Sequence, residues 1–172
     1  MCVFSSGGIG IDMGSGSTAV YLENEGVKLR EPTCALVNRE NASDVLALGR
    51  DAQRMAGRTD DASILVAPVI DGGVADSELA AILMLSVAEK ACEKRRPFEK
   101  SRLAVTVPHG ATRVERAALA TATGLAGAKK ALIVKAPVAA AIGAGVRIDR
   151  PQGVLVISVG CAVTEISILS MN

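Results

Sequence analysis

Residues 9 to 18, Ile-Gly-Ile-Asp-Met-Gly-Ser-Gly-Ser-Thr, set one carboxylate and a turn of small residues between two alternating apolar runs. Asp12 falls where a first strand ends. Gly14 and Gly16 permit positive φ or close backbone approach, and Val20 and Leu22 resume the alternation. The product is a β-hairpin whose tip can bring N–H groups, with the hydroxyls of Ser15, Ser17 and Thr18, against a phosphate. A carboxylate so close to phosphate oxygens cannot bind them directly. Asp12 would instead hold a hydrated Mg²⁺, which takes carboxylate, water and phosphate ligands together. The alternative reading of Asp12 is a turn or capping residue with no ligand, because Gly- and Ser-rich hairpin turns also occur in proteins that bind nothing.

Other reactive side chains point to less. His109 is the only histidine and stands in a Pro-His-Gly loop, without a partner pattern for a triad or a zinc site. Cys161 follows an apolar strand and reads as packing rather than as a nucleophile. Cys2, Cys34, Cys92 and Cys161 form no C-x-x-C pair, so reduced thiols and a cytoplasmic setting are expected. The chain shows no secretory h-region and no apolar run long enough to cross a bilayer.

The elements that must position these residues follow from pattern. A chain of 172 residues with 49% apolar residues builds one domain, or one domain with an inserted lobe. A net charge of +1 and only Phe4, Tyr21 and Phe98 as aromatics argue against nucleic-acid binding. Strands are expected at 8–12, 17–23 and 27–31. Two short apolar runs, 34–37 and 45–48, follow among polar turns. Asp76 or Ser77 caps a helix through about Lys94, and a strand at 102–107 ends at Pro108. Thr112-x-x-Glu115 forms a capping box for a helix to about Thr123, stopped by Gly124 or Gly127. A strand at 130–134 leads to Pro137, which opens an alanine-rich helix to about Ala144. Apolar runs at 153–159 and 164–169 close the chain as a hairpin. Three meandering strands and then strand–helix alternation predict a mixed sheet with helices on both faces, a ribonuclease-H-like α/β core.

In order and spacing the chain resembles the first half of a bacterial actin homologue of the MreB cell-shape family. The stretches that carry the resemblance are residues 9–18, Arg30-Glu-Pro-Thr33, Asp71-Gly-Gly-Val-Ala-Asp76, Val107-Pro-His-Gly-Ala-Thr-x-Val-Glu-Arg116, Ala136 to Gly145 and Ser158 to Glu165. The resemblance implies an actin-type domain I. Residues 1–32 and 67–152 would form its core lobe, 33–66 an inserted small lobe, and 153–172 a terminal β-hairpin that in the family begins a second domain.

The departures from that family bear on activity. Where the family carries a glutamate that positions the attacking water, this chain has Ala136. Where its second phosphate loop reads D-x-G-G-G-T-T-E, this chain has Ser158 for the aspartate, keeps Gly160, and places Cys161, Ala162 and Val163 next. General acid–base assistance is worth about 10²- to 10⁴-fold in rate and one oxyanion donor about 10²- to 10³-fold, so these losses together leave little catalysis. The chain is therefore expected to be no enzyme and to require no cofactor. Any ATP and Mg²⁺ would be held weakly, on Asp12, Gly14, Ser15, Gly16, Ser17, Thr18 and Gly160.

Partners are expected instead. Val154, Val156, Ile157, Ile166, Ile168 and Leu169 lack the sheet that receives them in the family, and bare apolar strands invite pairing. A homodimer, or a complex with a full-length actin homologue through residues 153–170, would supply it. Arg95 and Arg96 beside Phe98 align with a loop that the family presses into bilayers. They mark a candidate peripheral membrane contact, set against the ordinary reading of cations at a helix C-terminus.

Overall fold

In a computed structural model of the chain, residues 7–58, 62–93, 96–99 and 101–170 are described. The meander β1 (Gly8–Met13), β2 (Ser17–Leu22) and β3 (Gly26–Pro32) is antiparallel. β9 (Arg102–Val107) and β10 (Ala131–Lys135) add in parallel on the other side of β1, giving the order β10-β9-β1-β2-β3. This is the expected mixed sheet.

Alternation decides which side chains reach the core. Ile9, Ile11 and Met13 of β1, Val20 of β2, and Leu103, Val105 and Val107 of β9 are buried against α2 (Ser77–Cys92) and α3 (Arg113–Leu125). Each such aliphatic side chain contributes about 1.5–3 kcal/mol by leaving water. Asp76 caps α2 by accepting from the Leu79 N–H at 2.9 Å, and Glu93 ends it in the left-handed region at φ 52°. The Thr112–Glu115 capping box forms in both directions. α3 then runs through Gly124, past the Thr123 stop that spacing suggests, and the chain turns at Gly127, φ 94°.

On the sheet face opposite α2 and α3, Tyr21 and Leu132 stay 48% and 66% exposed. α4 (Ala136–Gly143) does not cover them; it packs against β10, the end of β9 and the terminal hairpin, with Pro137 in its first turn.

Residues 33–66 hold more structure than their two apolar runs predict. β4 (Ala35–Asn38) lies between β5 (Val45–Leu48) and β6 (Ser63–Val66), and α1 (Gly49–Met55) follows β5. α1 escapes sequence reading because its N-cap, Leu48, provides no side-chain acceptor. The acceptor comes from β3: a carboxylate oxygen of buried Glu31 receives the Arg50 N–H at 2.8 Å. A short β7 (Val69–Ile70) and β8 (Gly73–Val74) pair across Asp71 and Gly72, and β11 (Val154–Val159) pairs with β12 (Thr164–Leu169) as the closing hairpin.

Candidate functional site

At the C-terminal ends of the parallel strands β1 and β9, where open α/β sheets bind ligands, four turns converge. They are residues 14–17, 71–72, 106–108 and 158–163, and they enclose a cleft of about 310 Å³. The tip of the first hairpin is tied by the Gly14 N–H donating to the Ser17 carbonyl at 3.0 Å. Ser15 Oγ accepts the Gly72 N–H at 2.9 Å, fixing the first turn to the β7–β8 turn across 57 residues of sequence. Gly72 has φ 78°, and a Cβ there would lie 2.9 Å from the Pro108 ring. Only glycine fits at that meeting point.

Asp12 stands exposed in this cleft, as its place at the strand end predicts, and accepts a hydrogen bond from the Thr106 hydroxyl at 2.5 Å. Gly14, Ser15, Gly16, Ser17, Ala136, Ser158 and Gly160 line the same cleft. Thr18 does not. It faces the helix-covered side of β2, fully buried, and shares a hydrogen bond of 2.9 Å with the Thr33 hydroxyl. Period two puts Ser17 and Thr18 on opposite faces, so only one of them reaches the cleft.

The second turn is crowded and occupied. The Gly160 N–H donates to the Val163 carbonyl at 2.9 Å, closing the β11–β12 hairpin on itself. Cys161 is exposed rather than packed inside, and its Cβ lies 2.7 Å from where a Cβ on Gly16 would stand. Arg30, Gly72, Thr106, Pro108 and Glu165 also line the cleft and were not singled out by sequence reasoning. Arg30 could have been found from β3 parity, which puts it opposite buried Glu31. Glu165 ends the Ser158 to Glu165 stretch, and its carboxylate reaches back to accept the His109 N–H at 2.7 Å. Among the described residues no group of three or more His, Cys, Asp and Glu could hold a metal ion. Asp12 alone offers a carboxylate at the first turn, a donor fit for a hydrated Mg²⁺ rather than for an all-protein cage.

The candidate membrane loop is corrected. Phe98 is 3% exposed and belongs to the main core cluster, so it is not an anchor. Arg96 is exposed, and its N–H donates to Glu89 at 3.3 Å. Arg95 lies outside the described residues. No described helix is long and apolar enough to cross a membrane.

The hairpin divides into two faces. Val154, Val156 and Leu169 turn inward, Leu169 being buried, while Leu155, Ile157, Val159, Ile166 and Ile168 are all exposed and share one face by register.

Residues 6–172 match the family model described as MreB/Mbl protein. The chain is 32% identical to the cell shape-determining protein MreB of Escherichia coli over 170 residues, which are 97% of this chain and 49% of that protein. It is 34% identical to the cell shape-determining protein Mbl of Bacillus subtilis over 164 residues, 95% of this chain and 49% of that one. MreB5 of Spiroplasma citri bound to AMPPNP superposes with a TM-score of 0.84 at 31% identity, covering 96% of this chain and 49% of that chain. Its ADP-bound form gives 0.82 at 30%. The chain thus spans about half the length of the curated relatives it matches.

Proposed function

This chain belongs to the MreB/Mbl family of actin-like proteins, and from that premise we propose that it is a non-catalytic assembly module serving filament organisation or cell shape. The observation that carries the proposal is the β11–β12 hairpin. Its five exposed aliphatic side chains form one contiguous face, which water disfavours by about 25 cal/mol per Å². A second copy of this chain or a longer actin homologue would cover that face. The cleft supports the non-catalytic half of the reading. Ala136 and Ser158 bring no carboxylate, the Gly160 N–H is already bonded within its own turn, and Cys161 fills space beside Gly16.

A second reading has its own support. Asp12 and the first glycine turn stand open to solvent, and the Spiroplasma citri relative was solved bound to AMPPNP and to ADP. In that reading the chain is one half of an ATP-binding, polymerising cleft, and a second polypeptide supplies the adenosine pocket.

Light scattering with and without magnesium and ATP separates the two. The assembly module associates with rising concentration, indifferent to nucleotide. Magnesium-dependent phosphate release well above an Asp12→Ala control overturns it in favour of the ATPase. A chain that stays monomeric into the high micromolar range overturns self-assembly, and absence of co-pelleting with a full-length homologue removes the remaining partner.

A further inference from the structure

Asp12 and Thr106 stand side by side at the ends of adjacent parallel strands. They come one step after Ile11 and Val105, the last pair of the β1–β9 register, and Ile11, Met13, Val105 and Val107 around them all belong to the core. Alternation therefore turns Asp12 and Thr106 together to the other side, where both line the cleft. The Thr106 hydroxyl donates to Asp12 Oδ1 at 2.5 Å, and among the described residues no other group bonds the Asp12 side chain. Oδ2 of this exposed residue is left for a ligand.

Two effects of that bond compete. It can block the carboxylate against a cation, or it can fix the carboxylate for one. A carboxylate has about four lone-pair sites, of which one hydroxyl spends a single one, so blocking is the smaller effect. A hydroxyl also brings no charge and leaves the attraction for a cation intact. Orientation is the larger effect: hydrogen-bonded partners behind metal-binding carboxylates are commonly worth about 10- to 100-fold in affinity. Arg30 decides the form in which a cation arrives. It pairs in register with Ala19, which pairs with Asp12, so one small side chain separates it from the carboxylate along a single row of the sheet. Arg30 lines the same cleft and forms no ion pair with a described residue. It repels a bare metal ion and attracts one that carries phosphate.

We propose that Thr106 is a positioning residue for a hydrated divalent cation that enters the cleft as a phosphate complex. Its hydroxyl spends Oδ1 of Asp12 and holds Oδ2 for the water shell of the metal. The inference rests on the second reading above, in which Asp12 stands open to a nucleotide, and adds the residue that makes Asp12 competent. It asks no catalysis of the cleft, to which Ala136 and Ser158 bring no carboxylate.

The probe is manganese with inorganic tripolyphosphate, which needs no adenosine pocket. The readout is the enhanced water-proton relaxation that manganese gives once a slowly tumbling protein holds it. The native sequence is expected to give a saturable enhancement, and Asp12→Asn to abolish it. Thr106→Val, which keeps the shape and drops the hydroxyl, weakens binding at least about ten-fold. Thr106→Ser, which keeps the hydroxyl, binds as the native sequence does. Valine favours strands, so the first variant folds; circular dichroism and melting verify this, with Thr106→Ala as the second variant without a hydroxyl. A lowered melting temperature with unchanged affinity in Thr106→Val means that Thr106 only straps β9 to β1, and overturns the proposal. Tighter binding by Thr106→Val means that the hydroxyl blocks, and overturns it too, as does a Thr106→Ser variant as weak as Thr106→Val. Enhancement lost in Asp12→Asn but equal in Thr106→Val and the native sequence sinks this inference and leaves the nucleotide reading standing. No enhancement with the native sequence, or one that survives Asp12→Asn, sinks both.

Discussion

A Cβ on Gly16 would come within 2.7 Å of the Cβ of Cys161 and 3.2 Å of its sulfur, so the side chain on the second turn shuts down space beside the first. Phosphate binding by backbone amides needs that space, since donors must approach an oxyanion to about 2.7–3.1 Å.

Opening the turn is expected to restore ligand binding. With magnesium and ATP in excess, the melting temperature of the native sequence should move by less than about 1 °C. Cys161→Gly with Ala162→Gly and Ser158→Asp should move it by at least about 2 °C, the mark of roughly 1 kcal/mol of binding linkage in a chain of this size. Equal shifts in both proteins would refute the crowding argument.

Glu31 of β3 links to α1 and α2. Its buried carboxylate accepts the Arg50 N–H and lies 3.9 Å from the Lys90 ammonium. Glu31→Ala should cost about 2–3 kcal/mol in urea unfolding, because a buried backbone donor loses its partner. Gly49→Ala should cost at least about 1 kcal/mol. That residue has φ 58°, and a Cβ would sit 2.9 Å from a Glu31 carboxylate oxygen.

Helix caps give a pH signature. Asp76→Ala should lower stability by about 1 kcal/mol at neutral pH. At the α3 cap, the Thr112 N–H and then its hydroxyl hold the Glu115 carboxyl below its usual value. A depressed carboxyl stabilises the fold above its unfolded value and loses that contribution as pH falls through the folded one. The stability gap between the native sequence and Glu115→Gln should thus be present at pH 6–7 and close below about pH 4, as followed by thermal melts across pH.

Hairpin substitutions should separate association from stability. Ile157→Asp and Ile166→Asp alter side chains 58% and 69% exposed, so unfolding should change little while association seen by light scattering is lost. Leu169→Ala, at a buried position of the same hairpin, should cost about 2–5 kcal/mol.

Phe98→Ala should destabilise by about 3–5 kcal/mol, since the ring is part of the core. Liposome flotation should be the same for this variant as for the native sequence once both are folded. A selective loss of flotation at full stability would return the ring to the surface.

How much was legible varied with how local the cause is. The capping box at Thr112 and Glu115, the turn at Asp71-Gly72 and the Pro137 helix start depend on neighbours within four residues, and each stands where the spacing predicts. Phe98 misled because a ring flanked by Arg95 and Arg96 reads as exposed, while its burial in the main core cluster depends on residues distant in sequence. Thr18 carries a hydroxyl like those of Ser15 and Ser17, but strand alternation turns it to the buried face against Thr33. α1 was missed because its cap comes from Glu31, nineteen residues away.

The sequence alone determined the strands of the main sheet and of the closing hairpin, the helices with local caps, the first glycine turn and the family, since periodicity, capping and motif order are properties of adjacent residues. Only the tertiary structure decided that Ser15, Gly72, Pro108, Cys161 and Glu165 share one cleft, and that two apolar faces, on the hairpin and around Tyr21 and Leu132, stay exposed among the described residues. The physical reason is the same in both cases. Contact between distant segments follows from how sheet and helices stack, and an apolar side chain carries no mark of whether anything lies above it.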